Sequence, residues 1–303
     1  MWEALKDLFL TYESTLGYIG LNSLLALSVY ATLSCGQLAL SNAGFMAIGA
    51  YAATLLTMEG GVPFPVALAA GAVLPALVAV PLGLPVLRLR GVFLAIATIG
   101  FGEVVRLGIV NWDHVNGAQG IVAIPQKTHL WTIFVALGAV LFVLSRLRGS
   151  KWGFALEAIR EDEPAARTMG IPTAAYKLAM LVFGAAIAGL AGGLEAHFTF
   201  MVAPNGFSFG RVVDMLVFAV VGGTARFWGP VLGAAFLTLL PELLRDLAPL
   251  VGIEPGPLRL MVNGLVLLAV ILFLPNGMAS VPDRIRERAR ARERGRLAPG
   301  AAG

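Results

Sequence analysis

The chain has 303 residues, of which 58% are hydrophobic and only 13% charged, with a mean hydropathy of +0.82. A water-soluble domain is nearer about 45–50% apolar and about 25% charged, so one soluble core cannot hide this much apolar surface; the composition implies an all-α, polytopic membrane helical bundle. The single cysteine, Cys35, excludes an internal disulfide and a cysteine-cluster metal site, and the net charge of +4 sits mostly in loops and tail, which suits membrane orientation rather than nucleic-acid binding.

The N-terminus reads without a cleavable signal, because Glu3, Asp7 and Glu13 interrupt its apolar residues. Trp2, Leu5, Leu8 and Phe9 share a side, as in a helix lying in the membrane interface. From Ser14 to Met58 there is no charge, long enough for two spans of about 20 residues each, near 16–35 and 38–57. Their join, residues 35–42, is weakly polar and glycine-marked. It fits either a surface turn or a break within the membrane, and a break has to face protein or a watery cavity.

A third span, 64–87, carries Pro75, Pro81 and Pro85 and is expected to kink. The fourth, 91–110, contains Glu103 and Arg106, three apart and able to pair. A polar glycine-containing loop over 111–127 leads to a fifth span at 128–145. The sixth, 178–197, has a GxxxG pair at Gly189 and Gly193, suited to close helix packing in lipid. Pro204-Asn205-Gly206 is a turn signal. Residues 212–221 are short for a crossing, 229–244 carry a second GxxxG at Gly229 and Gly233, and 258–274 form the last span. The total is about nine crossings, with eight or ten still open.

Residues 150–177 are the one long polar stretch inside this apolar chain. Trp152, Ala155, Leu156 and Ile159 recur at helical spacing, while Lys151, Glu157, Arg160, Glu161, Asp162 and Glu163 are charged. Pro164 permits a fresh first turn, and Gly170 with Pro172 stops it. The pattern is a short amphipathic helix-turn-helix, and both a solvated connecting loop and a docking element for a soluble partner fit it. Arg88, Arg90, Arg146, Arg148, Lys151, Arg160, Arg167, Lys177, Arg226 and the arginines of 284–296 can all lie on one side, which places this loop and the tail in the cytoplasm; three spans before Arg88 put the N-terminus outside, and a broken segment among them reverses that side. The chain divides into a transmembrane domain, 1–282, with the polar loop at 146–177, and a basic cytoplasmic tail, 283–303, able to rest on lipid headgroups.

No G-x-x-x-x-G-K-[ST] is present, so an ATP site of P-loop type is excluded. His114, His129 and His197 are scattered, with no metal spacing and no nucleophilic triad. Polar groups inside apolar segments remain as candidates. Glu103 is either a pathway residue or the partner of Arg106, and Glu195 sits near a span end. Asp214 lies three residues from Arg211 and can pair with it. Asn22, Gln37, Asn42 and Asn263 are neutral and suit interhelical hydrogen bonds. No helix carries a chain of acids, which counts against a proton-driven carrier.

Four stretches carry a resemblance: GQLALSNAGFMAIGAYAATLL (36–56), LRLRGVFLAIATIGFGEVVRL (87–107), SKWGFALEAIREDEPAARTMGI (150–171) and VVGGTARFWGPVLGAAF (220–236), with FLPNGM (273–278) closing the chain. They resemble the LivM-type permease subunit of branched-chain amino-acid ABC importers, over nearly the whole length. The resemblance implies a pore shared with a LivH-type subunit, two cytoplasmic ABC ATPases, and a periplasmic or other extracytoplasmic amino-acid-binding protein, all at a bacterial inner membrane. ATP is then bound by the ATPases, and this chain binds no cofactor.

It further implies that Ala165, Ala166 and Gly170 match the loop such permeases insert into their ATPases. Trp152, Leu156 and Ile159 then fill a groove in the ATPase, and Glu157, Arg160, Glu161 and Asp162 form its charged rim. Asn22, Gln37, Asn42, Glu103 and Asp214 are the candidates for the translocation pathway. The sequence departs from the family pattern at Pro164, where glutamate is usual and Glu163 stands one place earlier. It departs also at Asn116-Gly117-Ala118-Gln119-Gly120 and at Ser41-Asn42-Ala43-Gly44-Phe45. Some relatives of this type handle urea or other small amides. A self-sufficient secondary carrier is the alternative from another class.

Overall fold

The computed structural model describes residues 2–245 together with Gly264 and Met278, with side chains from Tyr12 to Leu240. The span expected at 258–274 and the tail at 283–303 lie outside the described residues. Among the described residues ten α-helices follow one another: α1 (Trp2–Leu33), α2 (Asn42–Met58), α3 (Phe64–Val86), α4 (Val92–Val110), α5 (Leu130–Arg148), α6 (Lys151–Glu161), α7 (Glu163–Thr168), α8 (Thr173–Thr199), α9 (Phe209–Gly222) and α10 (Gly229–Arg245). Five are long and apolar enough to cross a membrane: α1 from Tyr12, α3, α4, α5 and α8.

The helices run back and forth between two ends. At the end carrying α6 and α7, here the loop end, Gly36 approaches the backbone of Arg160, Gly83 meets Leu178 and Leu181, and Arg160 bonds Thr224. At the far end Gly17 lies against Phe198, Gly20 against Ile133, and His114 bonds Glu59. A two-stranded antiparallel ribbon, β1 (Ile121–Val122) with β2 (Met201–Val202), ties the far-end loops together. Gly120 precedes it at φ +75°, pressed on the Val202 carbonyl, where a side chain has neither space nor an allowed backbone.

Glycine decides the packing at the centre, because helices in lipid associate through close van der Waals contact. The Gly189 and Gly193 pair of α8 meets Gly49 and Ala53 of α2 and Gly71, Pro75 and Leu68 of α3. A Cβ on Gly49 would collide with the backbone of Gly189 and the carbonyl of Gly71. The second pair, Gly229 and Gly233, seats α10 on Gly222 and Phe218 of α9. The α1 helix is the most enclosed of the long spans, and Leu21, Leu24, Leu25 and Leu27 on it are fully buried. By contrast α3, α4 and α5 turn Leu77, Phe93, Ile96, Val135 and Phe142 outward, the arrangement of lipid-facing helices around a packed centre.

Three expectations are corrected. The N-terminal residues do not form a separate interfacial rod; α1 is one helix of 32 residues, about 48 Å long at 1.5 Å per residue. The second crossing is not helical from residue 38. Residues 37–41 belong to no helix or strand and α2 begins only at Asn42. And α8 starts at Thr173, so the stretch 173–177, expected to be loop, is its first turn.

Candidate functional site

The polar loop folds as two rods. Ser150 caps α6, its hydroxyl accepting from the Trp152 amide at 3.2 Å, and Asp162 caps α7 by accepting from the Ala165 amide at 3.0 Å. Pro164 sits in the first turn of α7, where its missing N–H costs nothing. At the other end Ile171 N–H reaches Ala166 O at 3.1 Å and Gly170 N–H reaches Arg167 O at 3.0 Å, with Gly170 at φ +83°. This is a Schellman stop, which requires glycine or a tolerant residue at that place.

The apolar stripe of α6 faces inward. Leu156 packs with Ala31 and Cys35 at the end of α1 and with Met180 of α8. Ile159 and Ala166 are also buried, at 3% and 4% exposure. Leu156 and Ile159 are therefore not presented to a partner, contrary to the groove-filling role expected of them. They are already used inside the chain, because a stripe narrow enough for one helix face can bury itself only once. Trp152 is half exposed, its ring 4.6 Å from that of Tyr176. The outward surface includes Glu157, Arg160, Glu161, Asp162, Ala165 and Gly170, together with Phe154 and Met169, which are 68% and 83% exposed. Phe154 and Met169 had not been singled out, although both fall off the helical stripe in the sequence.

Glu163 is the junction between the rods and α8. Its Oε1 accepts from Arg167 Nη2 and its Oε2 from Lys177 Nζ, each at 2.6 Å. Arg167 Nε also bonds Thr173 Oγ1 at 2.9 Å. Partial burial pushes the Glu163 carboxyl up, but the Lys177 and Arg167 cations outweigh it and hold the carboxyl below its ordinary value. Lys177 stands in the first turns of α8, where a cation opposes the helix dipole; Glu163 offsets that. Glu163 thus has a definite structural task.

The second candidate region is the break before α2. Lipid-facing irregular backbone is forbidden, and here it is enclosed by protein: Gln37, Ala39 and Ser41 are at most 2% exposed. The Leu40 amide donates to Thr98 Oγ1 of α4 at 2.9 Å, and Asn42 Nδ2 donates to Ser28 Oγ of α1 at 3.0 Å. Gln37 Nε2 and Ser41 Oγ have no partner, and Ser41 leaves the α2 N-terminus without a side-chain cap. The break thus gathers Gln37, Ser41 and Asn42 with the unforeseen Ser28 and Thr98. Asn22 lies further along α1, where Nδ2 donates to Thr238 Oγ1 of α10 at 3.0 Å while Oδ1 is unpartnered.

The remaining two pathway candidates lie elsewhere. Glu103 pairs with Arg106 on its own helix at 2.7 Å. Asp214 stands on α9. Arg211, beside it in sequence, reaches across to Glu195 of α8 at 2.7 Å, so Glu195 is an interhelical partner as well as a span-end residue.

A family model described as a branched-chain amino acid transport system / permease component matches residues 11–271. The LivM high-affinity branched-chain amino acid transport permease proteins of Salmonella typhimurium and Escherichia coli are each 35% identical, over 84% of this chain and 66% of their own length. A probable LivH permease protein of Methanocaldococcus jannaschii is 26% identical over 91% of this chain and 95% of that protein. The chain thus spans just under two thirds of the length of the two LivM proteins. No solved structure matches significantly. With a buried glycine-packed bundle, a paired-rod loop and a match along almost its whole length, the chain belongs to the branched-chain amino acid transport permease family.

Proposed function

We propose that this chain is one of two membrane subunits of an ATP-driven importer for branched-chain or related apolar amino acids. The observation that carries the reading is the α6–α7 pair: two capped rods fastened on one side to α1 and α8 and presenting a polar surface on the other. In this reading the loop end is cytoplasmic, the N-terminus is outside, and about nine crossings span the inner membrane. A LivH-type subunit completes the pore. Two cytoplasmic ATPases seat on the exposed face of the rods, and an extracytoplasmic binding protein delivers cargo. Nucleotide belongs to the ATPases, so this chain supplies the gate and the linkage.

The linkage has a physical basis. Leu156 meets Ala31 and Cys35 at the foot of α1, immediately before the break at residues 37–41. A displacement of α6 by the ATPases therefore reaches the break directly. Packed helices move as units rather than deforming smoothly, so a push on α6 is delivered where polar backbone lies open inside the bundle.

The test is reconstitution. The chain, with a LivH-type subunit, the two ATPases and the binding protein, should accumulate leucine in vesicles only when ATP is enclosed in the lumen, on the ATPase side, with the binding protein outside. Uptake of urea in preference to leucine would replace the cargo assignment. Uptake of leucine by the purified chain alone, driven by an ion gradient, would replace the whole reading with a secondary carrier.

A further inference from the structure

At the loop end a cavity of about 240 Å3 opens between the feet of α1 and α5 and the α6 rod. Drug-sized ligands occupy about 300–1,000 Å3, so this space suits several waters or one small metabolite. Its construction is specific. Gly153 rests on the Arg148 carbonyl, and a Cβ there has no room, so α6 turns back tightly off α5. Glu157, Arg160 and Glu161 are thereby brought over Arg148. Arg160 is held by Thr224, its Nη1 at 3.3 Å from the carbonyl and its Nη2 at 3.4 Å from the hydroxyl. Tyr30 lines the wall near Arg148.

The charges on that wall decide what fits. Arg148 and Arg160 line the same space as Glu157 and Glu161. A phosphate would meet the arginines but also the glutamates, and a simple cation the reverse. A zwitterion satisfies both, with a charge-assisted contact at each end. The floor is apolar, built from Leu144, Leu147, Leu156 and Met180, which suits an aliphatic side chain. We propose that this cavity binds a free α-amino acid with an aliphatic side chain from the cytoplasmic side, so that accumulated cargo slows its own import. The cargo class rests on the function proposed above.

The regulatory consequence follows from position. An occupant touches α1, α5 and α6 together, and a ligand favours the arrangement it contacts best. Import needs α6 to move against α1, so an occupied cavity holds the coupling rod in place.

The experiment uses the complete transporter. Isothermal titration of L-leucine into the detergent-purified complex without its binding protein should give saturable binding. Isocaproate, which lacks the ammonium, and isoamylamine, which lacks the carboxylate, should not bind. Arg148→Gln should weaken leucine binding about 10- to 100-fold, the loss of one charge-assisted contact. Ser34→Met, which fills the cavity without altering a charge, should abolish it. In vesicles with the loop end inside, preloading with leucine should lower the initial ATP-driven uptake of labelled leucine, and Arg148→Gln should relieve that inhibition while uptake into unloaded vesicles is retained. Normal uptake that preloaded leucine does not slow, or binding unchanged in Arg148→Gln, overturns the cavity assignment and leaves the importer reading intact. Inhibition that follows the ethanolamine-phospholipid content of the vesicles rather than internal leucine also overturns it, since such a headgroup carries the same pair of charges. Absence of any ATP-driven amino-acid uptake counts against the importer reading, while the titration still decides the site.

Discussion

Replacing Glu163 by alanine removes the carboxylate that joins α7 to the start of α8. The side chains of Glu163 and Lys177 are 18% and 15% exposed, so the loss strands a cation that water reaches poorly. Truncating one partner of a fully buried pair costs about 3–5 kcal/mol. This pair keeps some water, and the Arg167 arm is half exposed and contributes less than about 1 kcal/mol. The junction should therefore weaken by about 2–3 kcal/mol, an increase of about 30- to 150-fold in the population with α7 detached. Amide exchange over residues 163–177 should accelerate by that factor while the spans stay protected. ATP-driven uptake should fall with the chain still present in the membrane. Glu163→Gln keeps an acceptor and the shape, so its cost should be nearer 1 kcal/mol. Unchanged exchange in this segment together with unchanged uptake in Glu163→Ala would refute the idea that the rods act through α8.

Acidity probes the same junction. The Glu163 carboxyl is held below its ordinary value, so its contribution is fully present above about pH 4.3, the unfolded value, and is lost as pH falls through the lower folded value. Exchange over 163–177 followed from pH 7 downward should stay slow to about that point and rise beneath it. Gly49→Ala should fail differently: its Cβ meets backbone on two other helices, overpacking costs about 1–3 kcal/mol or more, and a lowered melting temperature of the detergent-solubilised chain measures it. Phe154→Asp and Leu156→Asp separate the two faces of α6. The exposed Phe154 should tolerate the charge within about 0.5 kcal/mol of stability yet lose ATPase co-purification, whereas the buried Leu156 should lose the folded chain itself, at several kcal/mol; equal behaviour of the two variants contradicts the orientation of the rod.

The helical, polytopic character was legible because it depends on composition, and so were both rods, whose caps are local: Ser150, Asp162, Pro164 and Gly170 each act on residues within a turn of themselves. The GxxxG pairs pointed correctly to close packing, though not to the helices they meet. The direction of the α6 stripe was not legible. Periodicity says that Leu156 and Ile159 share a face, but not whether that face belongs to this chain or to a partner, and their burial against α1 and α8 depends on residues more than 20 positions away in sequence. The Arg211–Glu195 pair was illegible for the same reason: spacing offers the near partner, and tertiary packing brings in one from another helix. The break at 37–41 was left open between surface and interior because Gly36 and Ser41-Asn42 suit either. Thr98, on a different helix, satisfies the Leu40 amide there.

That break has a counterpart at the opposite end. α2 and α9 have 17 and 14 residues, about 26 and 21 Å, and neither spans a hydrocarbon layer of about 30 Å. Each is preceded by chain outside any α-helix that enters the bundle: residues 37–41 from the loop end, and residues 200–208 from the far end, which begin with Phe200 at φ +62° and hold β2 and a 3-10 turn at Pro204–Phe207. Leu40 is bonded at the level of Thr98, six residues into α4, and Phe207 packs beside Tyr51, seven residues from the end of α2. At 1.5 Å per residue each break therefore reaches about 10 Å inward, from opposite sides. The two meet through α2, which carries the first break at its start and receives the second along its length. Non-helical backbone at such depth is tolerated only where protein or a watery cavity covers it, and broken helices are where transporters place groups that handle polar cargo. In the importer reading proposed above, an opening of either end disturbs α2 at one terminus while the other stays packed, which is what a gate needs if its two sides are not to open together.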